Sequence, residues 1–265
     1  ADVAQTICTG NTFTVTPTNT APDVVPTGTT YTWTVAAPAG ITGASNQATA
    51  QTSISQTLTN TTSTSLSAIY TVTASVGTAP NICTDTFTIT VTVNPKPSIA
   101  DVTQAICTGN TFTVTPTNTA PDVVPTGTTY TWTVAAPAGI TGASNQATAQ
   151  TSISQTLSNS TSNSIVVTYT VTASFGTAPN SCTDTFAINV TVNPEPQIAD
   201  VVQTICSGDT FTVTPTNTAP DVVPTGTTYT WTVAAGAGIT GASNQATGQT
   251  SISQTLTNTT STSLS

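Results

Sequence analysis

The chain has no arginine, no histidine and no methionine, and a single lysine, Lys96. Only 4% of its 265 residues are charged, against about 25% in an ordinary globular protein. Ten acids against that one lysine leave a formal charge of −9. Nothing here can neutralise a run of phosphates, so nucleic acid is excluded as a partner. An anionic membrane surface is excluded on the same ground. Without histidine a hydrolytic triad lacks its usual base. Zinc lacks imidazole, and no Cys-x-x-Cys pair offers thiolates instead. Lys96 is the one amine available for a Schiff base, and Glu195 replaces it one copy later. An isopeptide staple fails for want of internal lysines. The acids do not pair within one cleft as glycoside hydrolysis requires, and no glycine-rich phosphate loop leads into a helix. These absences read as a chain that is not an enzyme.

Long apolar runs are also missing. None approaches the roughly 20 residues of a membrane helix, and no stretch has helical periodicity. No signal peptide is visible at Ala1, so the chain reads as a window of something longer. Disorder is not implied, because disordered chains combine low hydrophobicity with high charge. Here 36% of residues are hydrophobic, and Val, Ile, Thr, Tyr, Phe and Trp, the strand formers, dominate.

What is present is a repeat. Ala1-Asp2-Val3 returns at Ala100 and again at Ala199, a period of 99 residues. The first two copies differ at 15 of 99 positions, so both must take one fold; the third stops at Ser265. The period is too long for a solenoid coil and suits a sandwich domain. Within a copy, polarity alternates residue by residue along Phe13–Thr16, Tyr31–Val35, Tyr70–Thr73 and Phe87–Val93. Period two means one face buried and one wet. The dry face is aromatic and β-branched, and the wet face is almost wholly threonine. Strands are expected over 3–8, 12–16, 29–35, 40–45, 52–58, 68–75 and 84–93, with loops at the Pro, Gly and Asn clusters between them. Seven such strands suggest a Greek-key sandwich of two antiparallel sheets. Trp33, Trp132 and Trp231 are its expected core residues. Asn94-Pro95-Lys96-Pro97 and Asn193-Pro194-Glu195-Pro196 are stiff extended links that set neighbours end to end. The domains are therefore 1–97, 98–196 and an incomplete 197–265.

Four segments carry a family resemblance: Ile7-Cys8-Thr9-Gly10, Thr30-Tyr31-Thr32-Trp33-Thr34, Ile54-Ser55-Gln56-Thr57-Leu58-Thr59-Asn60-Thr61-Thr62, and Thr86 through Pro97. Together they resemble the PKD-like, immunoglobulin-like repeats of giant cell-surface proteins of Bacteroidetes-type bacteria. The resemblance covers all three copies, the last in part. It implies tandem immunoglobulin-like sandwiches in an extracellular adhesin stalk or surface fibre, with no catalytic residues to carry over.

The five cysteines fall two per copy: Cys8 and Cys83, Cys107 and Cys182, then Cys206 alone. An oxidising exterior favours disulfides. One pairing is within copies, Cys8–Cys83 and Cys107–Cys182. Strand counting favours another. Cys8 closes the first strand and Cys83 precedes the last, so they stand at opposite ends of a sandwich, about 25 Å apart. A disulfide needs Cα atoms within about 7 Å. The foot of one copy faces the head of the next, which brings Cys8 to Cys182.

The first copy holds 28 threonines. So uncharged a surface invites edge-to-edge association, and sugars would prevent it. Candidate O-glycan sites are the Asp-Thr-Phe hydroxyls Thr86, Thr185 and Thr210; candidate N-glycan sites are the sequons at Asn60, Asn159 and Asn258. Asp2, Asp23, Asp85 and their copies map to the head of a repeat. Asp101, Asp122 and Asp184 are accordingly a candidate calcium set at a junction, with turn capping as the plainer role. Two other readings compete with a structural spacer. A glycan-binding adhesive module would need exposed aromatics, and nearly all the aromatics lie on core faces. Ice binding by threonine ladders would need a flat sheet, and sheets twist.

Overall fold

A computed structural model describes all 265 residues and contains strands and turns but no helix. The first repeat comprises β1 (Val3–Cys8), β2 (Thr12–Val15), β3 (Thr30–Ala36), β4 (Ile41–Thr42), β5 (Gln47–Gln51), β6 (Ile54–Thr57), β7 (Thr59–Asn60), β8 (Leu66–Thr78) and β9 (Asn81–Asn94). The second repeats the order with β10 (Val102–Cys107), β11 (Thr111–Val114), β12 (Thr129–Val134), β13 (Ile140–Thr141), β14 (Gln146–Gln150), β15 (Ile153–Thr156), β16 (Ser158–Asn159), β17 (Ile165–Phe175) and β18 (Cys182–Asn193). The third holds β19 (Thr210–Val213), β20 (Tyr229–Trp231), β21 (Ile239–Thr240), β22 (Gln245–Gln249), β23 (Ile252–Thr255) and β24 (Thr257–Asn258).

One layer of repeat one is a five-stranded sheet in the order β1-β9-β8-β3-β5; the other is made of the pairs β2·β6 and β4·β7. Alternation builds the core between them. Phe13, Val15, Ile54 and Leu58 from the smaller layer meet Tyr31, Trp33, Tyr70, Val72, Ile89 and Val91 from the larger. Buried polar tips are satisfied locally. Trp33 Nε1 donates to the Ser45 carbonyl (3.1 Å) and the Tyr70 hydroxyl donates to Gln56 Oε1 (2.8 Å). Gln56 Nε2 in turn donates to the Ser45 carbonyl (2.8 Å), closing the network. The second repeat repeats each of these bonds.

The structure departs from the sequence reading in four places. The sheet is mixed, because β1 runs parallel to β9, from Val3 opposite Ile89 to Cys8 opposite Asn94. The β8–β9 hairpin is longer than expected. Its ladder runs on from Ser75·Thr84 to Thr78·Asn81, since backbone pairing continues past the point where apolar alternation stops. The strand Gln47–Gln51 carries no bulky apolar residue and so gave no alternation; it is held by its backbone to Tyr31 and Trp33 across a bulge. Only Ile41–Thr42 of the expected strand 40–45 is paired.

Trp33 and Trp132 are buried as expected, and Trp231 is not: it is half-exposed. The third repeat has no counterpart of the β8–β9 hairpin to lie against its core face. For the same reason residues 201–206, the copy of β1, form no strand. A strand that pairs in parallel with the last strand needs that strand to be there.

Burial pushes the Tyr70 and Tyr169 phenols up to about 12, whereas an unfolded tyrosine ionises near pH 10. The folded value is the higher one, so the stability tied to the neutral phenols is whole below about pH 10 and lost as pH rises through about 12. Urea midpoints should hold to about pH 10 and then fall, and the double variant Tyr70→Phe, Tyr169→Phe should flatten that fall.

Candidate functional site: the junction between repeats

The parallel pairing of β1 with β9 decides what meets at a junction. The chain enters a repeat at its head and leaves at its foot, and Cys8 ends up beside Asn94 at the foot. Cys83 pairs with Val76 near the hairpin tip. It lies eleven residues before Asn94 along β9, or about 36 Å at 3.3 Å per residue. In the second repeat the same hairpin tip, between β17 and β18, reaches back to the foot of the first. There Cys8 and Cys182 are bonded, with an S–S distance of 2.05 Å and Cα atoms 5.5 Å apart, inside the range a disulfide accepts. The within-repeat pairs Cys8–Cys83 and Cys107–Cys182 do not form, because strand length holds their members at opposite ends. Cys83, Cys107 and Cys206 are free and exposed.

Noncovalent contacts surround the bond. Pro95, Pro97 and Ile99 of the first link are buried, and Ile99 packs into the core of the second repeat. Ser98 and Val123 exchange two backbone hydrogen bonds, of 2.9 and 2.8 Å. Asn118 Nδ2 donates to Ser63 Oγ of the preceding repeat (2.9 Å), while its Oδ1 accepts from the Val124 amide (2.9 Å). Gly176 stands against Asn94, where a Cβ would lie 3.2 Å from the Asn94 side chain, and its φ of +86° disfavours any other residue. The second junction reuses the pattern, with Gln197 paired to Val222 and Asn217 donating to Ser162 Oγ (2.8 Å).

The acids do gather at the head of a repeat, but Asp101, Asp122 and Asp184 do not converge into a calcium set. No three of the chain's Asp, Glu and Cys side chains come together. Asp101 accepts from the Ala187 amide (2.7 Å), Asp122 accepts from the Ala100 amide (2.9 Å), and Asp184 pairs with Lys96 (3.0 Å). In the first repeat Asp2 likewise accepts from the Thr88 amide, which holds its carboxyl below the usual range. These carboxylates fasten the start of each repeat to its sheet.

The sequon asparagines also need correction. Asn60 is only 6% exposed; its Nδ2 donates to the carbonyls of Thr64 and Val93, and its Oδ1 accepts from the Thr62 amide. Asn159 is buried in the same network. A sugar attached to either nitrogen would replace one of its two donated hydrogens. Asn258 keeps the bond to Thr262 and is half-buried. Thr86, Thr185 and Thr210 all lie exposed. Sequence reasoning missed the link's own burial, although the Pro-x-Pro-x-Ile pattern carried the signal.

The chain has counterparts among known proteins. The family model described as PKD-like domain matches residues 5–97, 104–196 and 203–264. A three-domain immunoglobulin fragment of titin, I67–I69, aligns over 98% of this chain and 86% of its own at 12% identity, with a TM-score of 0.34. A SusE-like surface located polysaccharide binding protein from Bacteroides thetaiotaomicron aligns over 75% of this chain and 34% of its own at 10% identity, with a TM-score of 0.28. The search of curated proteins found no match.

Expressed in a host that glycosylates sequons, the chain should carry no glycan at Asn60 or Asn159. Asn60→Ala should lower stability by about 1–3 kcal/mol, because it orphans buried carbonyls. Peptide mapping and urea midpoints read the two outcomes.

Proposed function

The chain belongs to the PKD-like domain family, and on that footing we propose that it is a non-enzymatic, load-bearing spacer in an extracellular stalk or fibre. The observation that carries this reading is the Cys8–Cys182 bond, which ties neighbouring repeats rather than closing one. A disulfide is kept in an oxidising compartment, and no helix here is long and apolar enough to cross a membrane. The bond changes how tension travels. Force entering at Ala1 passes from Cys8 directly to Cys182. The intervening chain, spanning a sequence separation of 174 residues, is shielded. In the chain-entropy account, a bond closing so long a loop also removes about 5 kcal/mol of freedom from the unfolded state.

The exposed hydroxyls support a further part of the reading. Threonines pair across the outer face of the smaller layer, as in Thr12 with Thr57 (2.6 Å) and Thr14 with Ser55 (2.9 Å). Thr86, Thr185 and Thr210 are open to solvent. O-glycans on such hydroxyls would hydrate a face that has almost no charge.

Pulling the chain by its termini tests the spacer. At roughly 3.5 Å per residue, the oxidised chain should release about 600 Å less contour length than the reduced chain or a Cys8→Ser variant. Equal lengths under oxidising and reducing conditions would defeat the reading.

A further inference from the structure

Strand β5 is the outer strand of the five-stranded sheet, with β3 on one side and no strand on the other. It pairs with β3 only at its two ends, Gln51 opposite Tyr31 and Gln47 opposite Trp33. Between them Ala48, Thr49 and Ala50 bulge away from β3, and all three are exposed. β14 and β22 hold the same position against β12 and β20 in the other repeats.

An outer strand offers its free amides and carbonyls to any strand that comes alongside, and proteins commonly blunt such edges with lysine or proline. β5 has neither, and no charged residue occurs from Val24 to Thr84. The strand is also self-complementary, because Gln-Ala-Thr-Ala-Gln reads the same in both directions. An antiparallel copy would set Thr49 against Thr49, with Gln47 against Gln51 on either side, about a two-fold axis. Neither charge nor sequence opposes that pairing.

What opposes it is a pair of side chains. Gln47 Oε1 accepts from the Thr49 amide and Gln51 Nε2 donates to the Thr49 carbonyl, both at 3.3 Å. These are the two backbone groups that a Thr49–Thr49 pair would exchange. The second contact recurs in both other repeats, from Gln150 to the Thr148 carbonyl and from Gln249 to the Thr247 carbonyl, each at 3.3 Å. Across the sheet, Gln5 Nε2 of β1 donates to the Thr14 carbonyl of β2 (3.3 Å), as Gln104 does to Thr113 (3.1 Å). Both margins of the sandwich are tied by amides rather than screened by charge.

We propose that Gln47 and Gln51, with their copies, are stoppers that keep β5 from pairing with β5 of a second chain. Each side chain turns back along its own strand and occupies a group that a neighbour would take. The bulge assists, because it breaks the regular line of groups that a ladder needs. A chain with so little charge cannot rely on repulsion to stay apart from its own kind. The inference does not rest on the spacer reading, and it is separate from the sugars proposed for the threonine face.

The test uses the full oxidised chain, made in a host that attaches no sugars, with the exposed thiols of Cys83, Cys107 and Cys206 alkylated. Six substitutions remove the amides: Gln47→Ala, Gln51→Ala, Gln146→Ala, Gln150→Ala, Gln245→Ala and Gln249→Ala. Near-ultraviolet circular dichroism reports whether the variant is folded. Sedimentation equilibrium should find the parent chain monomeric and the variant self-associating. Its dissociation constant should be lower by about tenfold or more, because pairing no longer has to break the glutamine bonds. Hydrogen exchange should show the Thr49 amide protected in the associated variant and open again on dilution. Adding Ala48→Lys, Ala147→Lys and Ala246→Lys should restore the monomer. Where the six-site variant does not fold, Gln51→Ala, Gln150→Ala and Gln249→Ala alone remove the bond common to all three copies and are read in the same way. A folded variant that stays monomeric overturns the proposal. So does association that leaves the Thr49 amide unprotected, or a parent chain that associates as strongly as the variant.

Discussion

The pairing on which the molecule depends is the parallel ladder between β1 and β9, in which six residues of the first strand lie in register with the end of the last. Because the two strands run the same way, the chain enters each sandwich at one end and leaves at the other. An antiparallel first strand would have brought both ends together and allowed each repeat to close its own disulfide. The parallel one separates Cys8 from Cys83 by the length of β9 and gives each repeat a distinct head and foot. The third repeat supplies the contrast: without the last strand, residues 201–206 form no strand and Trp231 loses its cover.

From that polarity the junction follows. Two prolines limit the link to extended shapes, and the link is packed rather than loose, with Pro95, Pro97 and Ile99 buried. Two backbone bonds at Ser98 and Val123, the Asn118–Ser63 bond, the close approach at Gly176 and the Cys8–Cys182 bond all gather at the junction. The exposed Lys96–Asp184 pair adds little, as surface ion pairs generally do. What holds the junction is shape and covalent closure, in a chain with so few charges.

Much of this was legible in the sequence. The 99-residue period and strict alternation announced the sandwiches, and counting strands from the two ends placed Cys8 nearer Cys182 than Cys83. What escaped had physical causes. Gln47–Gln51 pairs through its backbone alone at a sheet edge, so its side chains leave no pattern. The hairpin tips extend beyond the core, where hydrophobic alternation no longer reports pairing. The Asn60 sequon reads as an accessible loop, yet the asparagine is turned inward to satisfy the Thr64 and Val93 carbonyls. The acids do cluster at repeat heads, but Asp101 and Asp122 are taken up by backbone amides and Asp184 by Lys96, a use that spacing alone cannot distinguish from metal binding.

Whether the junction holds one fixed geometry is read most directly from the distribution of angles between repeats one and two in single particles of the oxidised chain. A packed, stapled junction predicts one narrow distribution. A broad, continuous spread of angles with the Cys8–Cys182 bond intact would contradict it.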